Sequence, residues 1–119
     1  MKNLPFLQRL GFALAGLAHA LRSERSLRTQ ALFAIGVVAV LAWLRPAPIW
    51  WAAVALSIAV VLAAELFNTA IESLADHLHP ERHPQIRIVK DVAAAAVLIA
   101  SCGAVAVALA LLFELLQRL

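Results

Sequence analysis

The chain has little charge, no tyrosine and a single cysteine. Only 14% of its 119 residues are charged and 64% are hydrophobic, whereas about a quarter of the residues of a typical soluble domain are charged. The lone Cys102 excludes an intrachain disulfide. The length leaves no room for a soluble domain beside several membrane-crossing helices of about 20 residues each. We therefore predict a single all-α integral membrane domain over residues 1–119.

The formal net charge of +3 does not indicate a nucleic-acid partner, because Lys and Arg form short clusters without stacking aromatics among them. Eight of these basic residues flank the apolar segments on one side, namely Lys2, Arg9, Arg22, Arg25, Arg28, Arg82, Arg87 and Lys90. The other side carries Arg45 and Arg118. Since basic residues mark the cytoplasmic side, this division predicts a multi-pass protein with a cytoplasmic N-terminus.

Hydrophobic periodicity predicts one surface helix and three transmembrane helices. The surface helix covers about residues 4–22 and is amphipathic, with Arg9 and His19 opposing a bilayer-spanning role. The three spans cover about residues 27–44, 50–74 and 92–113.

Proline and serine positions predict how these helices are connected. The Arg45–Pro48 segment holds two prolines and predicts a tight, non-helical reversal. The His77–Lys90 segment is polar, and its two prolines predict a longer loop. Ser23 or Ser26 is predicted to cap the first spanning helix.

Small residues mark candidate sites of close approach. Gly11 and Gly16 lie inside the surface helix, where each costs about 1 kcal/mol relative to alanine. They indicate either close approach of another backbone or a ligand, or a marginal helix. Ser101 and Gly103 in the third span predict close packing against another helix.

A polar face follows the apolar run Ile49–Ala64, whose one polar residue is Ser57. Glu65, Asn68, Glu72 and Asp76 are spaced by three, four and four residues, which confines them to an arc of about 80° on a helix. Carboxylates near a bilayer interior are costly and usually functional. This face is the first candidate site, although Asp76 also fits a helix simply leaving the membrane.

The polar residues favour cation binding and proton transfer. Carboxylates, one Asn and one Lys, without a Ser–His–Asp arrangement, suit Mg²⁺ and a general base better than acyl transfer. No GxxxxGKS/T phosphate loop is present, which excludes the common nucleotide fold but not nucleotide binding itself. Backbone amides near Gly11 and Gly16, together with Lys90, are candidate phosphate ligands.

Four segments resemble one family. They are Glu65-Leu-Phe-Asn68-Thr-Ala-Ile-Glu72, the later Lys90-Asp91, and the upstream Gly11-to-Gly16 and Glu24-to-Arg28 segments. Together they resemble the prokaryotic diacylglycerol kinases and undecaprenol kinases, from about Arg9 to the end of the third span. The resemblance implies a homotrimeric helical bundle in the bacterial cytoplasmic (inner) membrane. It also implies transfer of the γ-phosphate of ATP to a lipid hydroxyl at the cytoplasmic interface, in sites shared between subunits.

The resemblance also implies residue roles. Glu65 corresponds to the general base and Asn68 to a polar residue of the catalytic site. Glu24 and Glu72 correspond to the metal ligands for Mg²⁺, and Lys90 to a phosphate ligand. Asp76 and Asp91 correspond to polar partners, and Gly11 and Gly16 to nucleotide contacts. The MgATP-binding residues that the resemblance implies are therefore Gly11, Gly16, Glu24, Glu72, Asp76 and Lys90.

The substrate stays open between diacylglycerol, the first expectation, and undecaprenol. Two alternatives of another class are a cation-conducting oligomer and a non-catalytic membrane scaffold. A conducting oligomer predicts a polar face along a whole span, whereas Ile49–Ala64 offers only Ser57. A scaffold has no need for both Glu65 and the Lys90-Asp91 pair near one membrane surface.

Overall fold

The computed structural model describes residues 1–119 as four α-helices without a strand. These are α1 (Phe6–Ser23), α2 (Arg25–Leu44), α3 (Pro48–Leu78) and α4 (Pro84–Gln117). Helices α2, α3 and α4 are long and apolar enough to cross a membrane. The predicted all-α membrane architecture, with three candidate spans and an N-terminal helix, is confirmed.

The antiparallel helices α3 and α4 form the most extensively packed pair. Helix α4 faces α3 with mostly small or aliphatic side chains at helical spacing, including the buried Ala93 and Leu111 and the half-buried Ala104 and Val107. Such residues allow close backbone approach between helices. Helix α2 joins the pair where Leu41, Val54 and Leu111 form a small core.

The outer faces of the bundle are apolar and open. An apolar groove of about 1050 Å³ separates α2 from α4 over the surface of α3. Large side chains such as Phe33, Ile99 and Val105 are more than half exposed. Apolar surface of this extent is typical of helices that face lipid or other subunits.

The reversal between α2 and α3 occurs where the prolines predict it. Helix α2 ends at Leu44, and α3 begins at Pro48, in a first-turn position that needs no backbone N–H. Arg45 adopts a left-handed conformation with φ of 52° and donates its backbone N–H to Leu41 O. The predicted tight turn is confirmed.

The predicted loop from His77 to Lys90 is wrong in extent. Helix α3 continues to Leu78 and α4 begins at Pro84, which leaves a connection of five residues, 79–83. Pro84 starts a helix because proline fits the first helical turn, where its fixed φ is already helical. The Nδ1 atom of His83 accepts the Gln85 N–H and caps α4.

One further local expectation is wrong, and a second finds no partner within this chain. The N-cap of α2 is Glu24, without a side-chain cap, so neither Ser23 nor Ser26 caps that helix. A Cβ added at Gly11, Gly16 or Gly103 would meet no atom within 4 Å. No other part of this chain therefore approaches these glycines, and a ligand contact at Gly11 and Gly16 stays a prediction.

Arg28 fixes the corner between α1 and α2. Its guanidinium donates to Leu21 O at 3.0 Å and to Arg22 O at 2.7 Å, the last carbonyls of α1. These oxygens lack helical N–H partners, so a cation here completes the end of the helix. Because Ala20 is the one buried residue of α1, this corner is the main attachment of the helix.

We expect Arg28→Ala to loosen this corner. Two hydrogen bonds of about 0.5–1.5 kcal/mol each are lost, so exchange of the Glu24 amide, which bonds to Ala20 O, should accelerate at least about 5-fold. Hydrogen exchange measures this directly. Arg25→Ala is the matched control, since the Arg25 side chain makes no hydrogen bond in the chain, and equal acceleration in both variants contradicts this role of Arg28.

The division of basic residues predicts an external Arg45–Pro48 turn and a cytoplasmic 79–83 connection. In a Cys102→Ala background, we expect a membrane-impermeant maleimide to label the Ala47→Cys variant in intact cells. The Glu81→Cys variant should react only after permeabilisation, because both positions are exposed but lie at opposite ends of α3. The reverse pattern would show that the orientation is inverted.

Candidate functional site

The polar face of α3 passes from the bundle interior to its exposed end. Glu65 is 7% exposed, Asn68 and Glu72 are half-buried, and Asp76 is exposed. Over the eleven steps from Glu65 to Asp76 the helix rises about 16 Å. The face therefore connects a buried carboxylate to the bundle end that carries the short α3–α4 connection.

Glu65 is held at the α1–α2 corner of the same chain. The Ser26 hydroxyl lies 3.3 Å from each carboxylate oxygen of Glu65. Ser26 occupies the first turn of α2, two residues after Glu24. The turn that carries Glu24 and the face that carries Glu65 are therefore brought together within one subunit.

Asn68 has an unsatisfied oxygen one turn beyond Glu65. Its Oδ1 atom is buried and accepts no hydrogen bond. A buried acceptor without a donor costs about 1–3 kcal/mol, so such an atom needs a functional explanation. The atom is free to accept a donor or to coordinate a cation that enters between Glu65 and Glu72.

Lys90 reaches the polar face of α3 from α4. Its Nζ atom contacts Asp76 Oδ1 at 2.5 Å, and the two side chains are 30% and 62% exposed. Asp91 instead pairs with Arg87 on its own helix at 3.2 Å. Since exposed ion pairs contribute only about 0–1 kcal/mol, an incoming phosphate can compete for Lys90.

A polar cleft of about 530 Å³ lies beside this ion pair. The residues that line it come from the end of α3, the connection and the start of α4, and they include Asp76, His79, Arg82, His83, Arg87 and Lys90. Three cationic side chains, Arg82, Arg87 and Lys90, thus line the cleft together with the two acids Asp76 and Glu81. Arg82 and Arg87 also belong to the eight basic residues that predict the cytoplasmic side.

The donor chemistry of the site fits a Mg²⁺ ion held partly by substrate. No cluster of three or more acidic, His or Cys side chains forms a complete metal cage. Mg²⁺ usually binds one or two carboxylates plus substrate phosphates. Glu24 and Glu72 are the two carboxylates that the sequence predicts for such an ion, and the unpaired Asn68 Oδ1 is a further hard oxygen on the same face as Glu72.

The sequence-predicted residues are thus only partly brought together. Ser26, two residues after Glu24, contacts Glu65 at one end of the polar face, and Lys90 contacts Asp76 at the other end. Gly11 and Gly16 lie on the exposed part of α1, away from these contacts.

Ser26 and Arg28 were not assigned these contacts from sequence. The Glu24-to-Arg28 segment is visible as a motif, but hydrophobic periodicity does not predict either contact. Ser26 and Glu65 lie 39 residues apart in the sequence, and the hydrogen bonds of Arg28 to the end of α1 are exposed.

Comparison with known proteins gives one family. The sequence profile described as prokaryotic diacylglycerol kinase matches residues 11–112. A diacylglycerol kinase of Synechocystis sp. is 35% identical over 97 residues, covering 81% of this chain and 55% of that protein. A diacylglycerol kinase of Haemophilus influenzae is 31% identical over 91 residues, covering 76% of this chain and 77% of its own length. The chain thus spans about half of the cyanobacterial relative and three quarters of the other.

Proposed function

The chain belongs to the prokaryotic diacylglycerol kinase family, and we propose that it transfers the γ-phosphate of ATP to a lipid hydroxyl, with diacylglycerol as the acceptor. The observation that carries this proposal is the buried Glu65 carboxylate at the start of a polar face that ends in exposed charges. A base at lipid depth and cation and phosphate ligands nearer water suit a reaction between a lipid and a nucleotide.

Glu65 is the proposed general base. Its carboxylate takes the proton of the lipid hydroxyl as the lipid oxygen forms a bond to the γ-phosphorus, and the bond from that phosphorus to the β–γ bridging oxygen breaks to release ADP. Phosphoryl transfer depends mainly on positioning and charge neutralisation, so a small helical site is sufficient. Asn68 lies one turn away, and its free Oδ1 is available to substrate or cation.

MgATP is the proposed phosphate donor. Glu24 and Glu72 would hold the Mg²⁺ ion, which when bound supplies positive charge to the transferring phosphate. Lys90 binds a phosphate after exchange from Asp76, while Asp91 keeps Arg87 at the edge of the polar cleft. Gly11 and Gly16 are the proposed nucleotide contacts on α1, and their open surroundings leave the helix surface accessible.

Diacylglycerol is proposed over undecaprenol because both relatives carry that activity in their names. The apolar groove between α2 and α4 is lined by generic aliphatic and aromatic residues, which fit acyl or isoprenoid chains alike. Direct comparison of the two lipids as acceptors therefore forms part of the test.

We further propose a homotrimer in the cytoplasmic membrane with the polar end in the cytoplasm. The open apolar faces of α2 and α4 support contacts with lipid or with neighbouring subunits. Ser26 already joins the Glu24-bearing corner to Glu65 in one chain. A neighbouring subunit is therefore not needed for that contact, and the proposed sharing concerns the remaining open sides of the site.

We expect Glu65→Gln to retain the oligomer and most ATP affinity but to lower lipid phosphorylation by at least about 10²-fold, because the amide cannot accept the proton. Turnover of MgATP with diacylglycerol or undecaprenol in mixed micelles measures this. Glu114→Gln is the control, since this acid pairs with Arg118 at the other end of α4 and should keep normal turnover. Near-normal turnover in Glu65→Gln contradicts the role of Glu65 as the base. Faster turnover with undecaprenol than with diacylglycerol would make undecaprenol the proposed acceptor.

We expect Glu24→Ala and Glu72→Ala each to raise the Mg²⁺ concentration required for half-maximal turnover, by about 10-fold or more. Each variant removes one hard anionic ligand from an ion that accepts few substitutes. A Mg²⁺ titration at saturating ATP measures the shift, with Glu114→Ala, which removes an acid paired with Arg118 at the other end of α4, as the control. Unchanged titrations in both Glu24→Ala and Glu72→Ala contradict the metal role.

A further inference from the structure

The Ser26 hydroxyl is the one side-chain donor that reaches Glu65 in this chain. It lies 3.3 Å from both carboxylate oxygens, so its single proton is shared between them rather than directed to one. Since a buried carboxylate is costly without hydrogen bonds, this contact matters more than a surface contact would. It joins residues 39 positions apart and ties the first turn of α2 to the middle of α3.

The position of Ser26 leaves its hydroxyl committed to this contact. A serine near a helix start usually caps the backbone, but the N-cap of α2 is Glu24 and no side chain caps that helix. The Ser26 hydroxyl makes no other hydrogen bond within the chain. Ser26 is an exposed residue, so a slightly larger side chain of similar polarity can be accommodated there.

We propose that Ser26 is a positioning residue for the general base. It fixes the plane of the Glu65 carboxylate, so that an oxygen stays directed at the lipid hydroxyl, and it does so from the same turn that carries Glu24. Ser26 keeps its own proton throughout, since the proton of the lipid hydroxyl passes to Glu65. This inference rests on the proposed kinase activity and adds a residue that acts only through Glu65.

A positioning role predicts a different effect from a purely structural contact. Misalignment of a catalytic group lowers the rate of the chemical step while leaving substrate binding largely intact. We therefore expect loss of the hydroxyl to lower kcat about 10-fold, with KM for MgATP and diacylglycerol changed less than about 2-fold. Loss of a simple connection between α2 and α3 would instead change thermal stability and both kinetic constants together.

The sharpest comparison is between Ser26→Thr and Ser26→Val, which have the same shape and differ in the hydroxyl alone. In mixed micelles with MgATP and diacylglycerol, we expect Ser26→Thr to stay within about 2-fold of the parent kcat and Ser26→Val to fall about 10-fold below it. Ser23→Ala is the control, because this exposed serine of the same corner does not contact Glu65. Equal kcat values for Ser26→Thr and Ser26→Val overturn the proposal at whatever level they lie.

A second measurement tests whether Ser26 acts on the rate through Glu65. If Ser26 acts through the base, replacing it in a Glu65→Gln background should leave the residual rate unchanged, whereas independent effects should multiply. A further 10-fold loss in the double variant overturns the positioning role. The assignment of Glu65 as general base and the role of Ser26 can fail separately. An active Glu65→Gln variant contradicts the assignment of Glu65. If Glu65→Gln is inactive but Ser26→Thr and Ser26→Val have equal kcat values, only the role of Ser26 is contradicted.

Discussion

A bilayer interior offers no hydrogen-bond partners to a peptide backbone, and the structure follows from that constraint. Of 96 backbone hydrogen bonds, 86 lie within the helices, and the connections between α2 and α3 and between α3 and α4 are only a few residues long. Most backbone hydrogen bonds are thus formed within the helices themselves. The side chains are then free to divide by depth, with apolar residues along the spans and charged residues at their ends.

Helix α3 is the exception to this separation of polar and apolar residues by depth, and the candidate site lies on it. Its 31 residues extend beyond the apolar segment, so one face carries polar residues from the bundle interior to the exposed end. Glu65 tolerates burial because Ser26 donates to it, and Lys90 is brought to the other end of the face by Asp76. The short 79–83 connection makes that second contact possible, because it places the first turns of α4 beside the last turns of α3.

The sequence predicts the features that depend on composition and local spacing, such as the apolar helices, the Pro46–Pro48 reversal and the shared face of Glu65 and Glu72. It fails where one residue type serves opposite purposes. A proline such as Pro84 is compatible with the end of one helix or with the start of the next, and the sequence does not distinguish the two. In the structure, α4 begins at Pro84. Ser26 has the same appearance whether it caps α2 or contacts Glu65, since only the packing of α2 on α3 decides between them.

The contrast between Glu65 and Lys90 also bears on how a site of this size can work. Glu65 is buried and held by one hydroxyl, whereas Lys90 is held by an exposed ion pair that contributes about 0–1 kcal/mol. A proposed base must stay aligned with an acceptor that arrives through the membrane, so a fixed position is useful to it. A proposed phosphate ligand must exchange partners each time a nucleotide binds and leaves, so a weak and solvated partner suits it better. The same helix face can therefore carry one rigid group and one exchangeable group, because the exposure of its residues increases from Glu65 to Asp76.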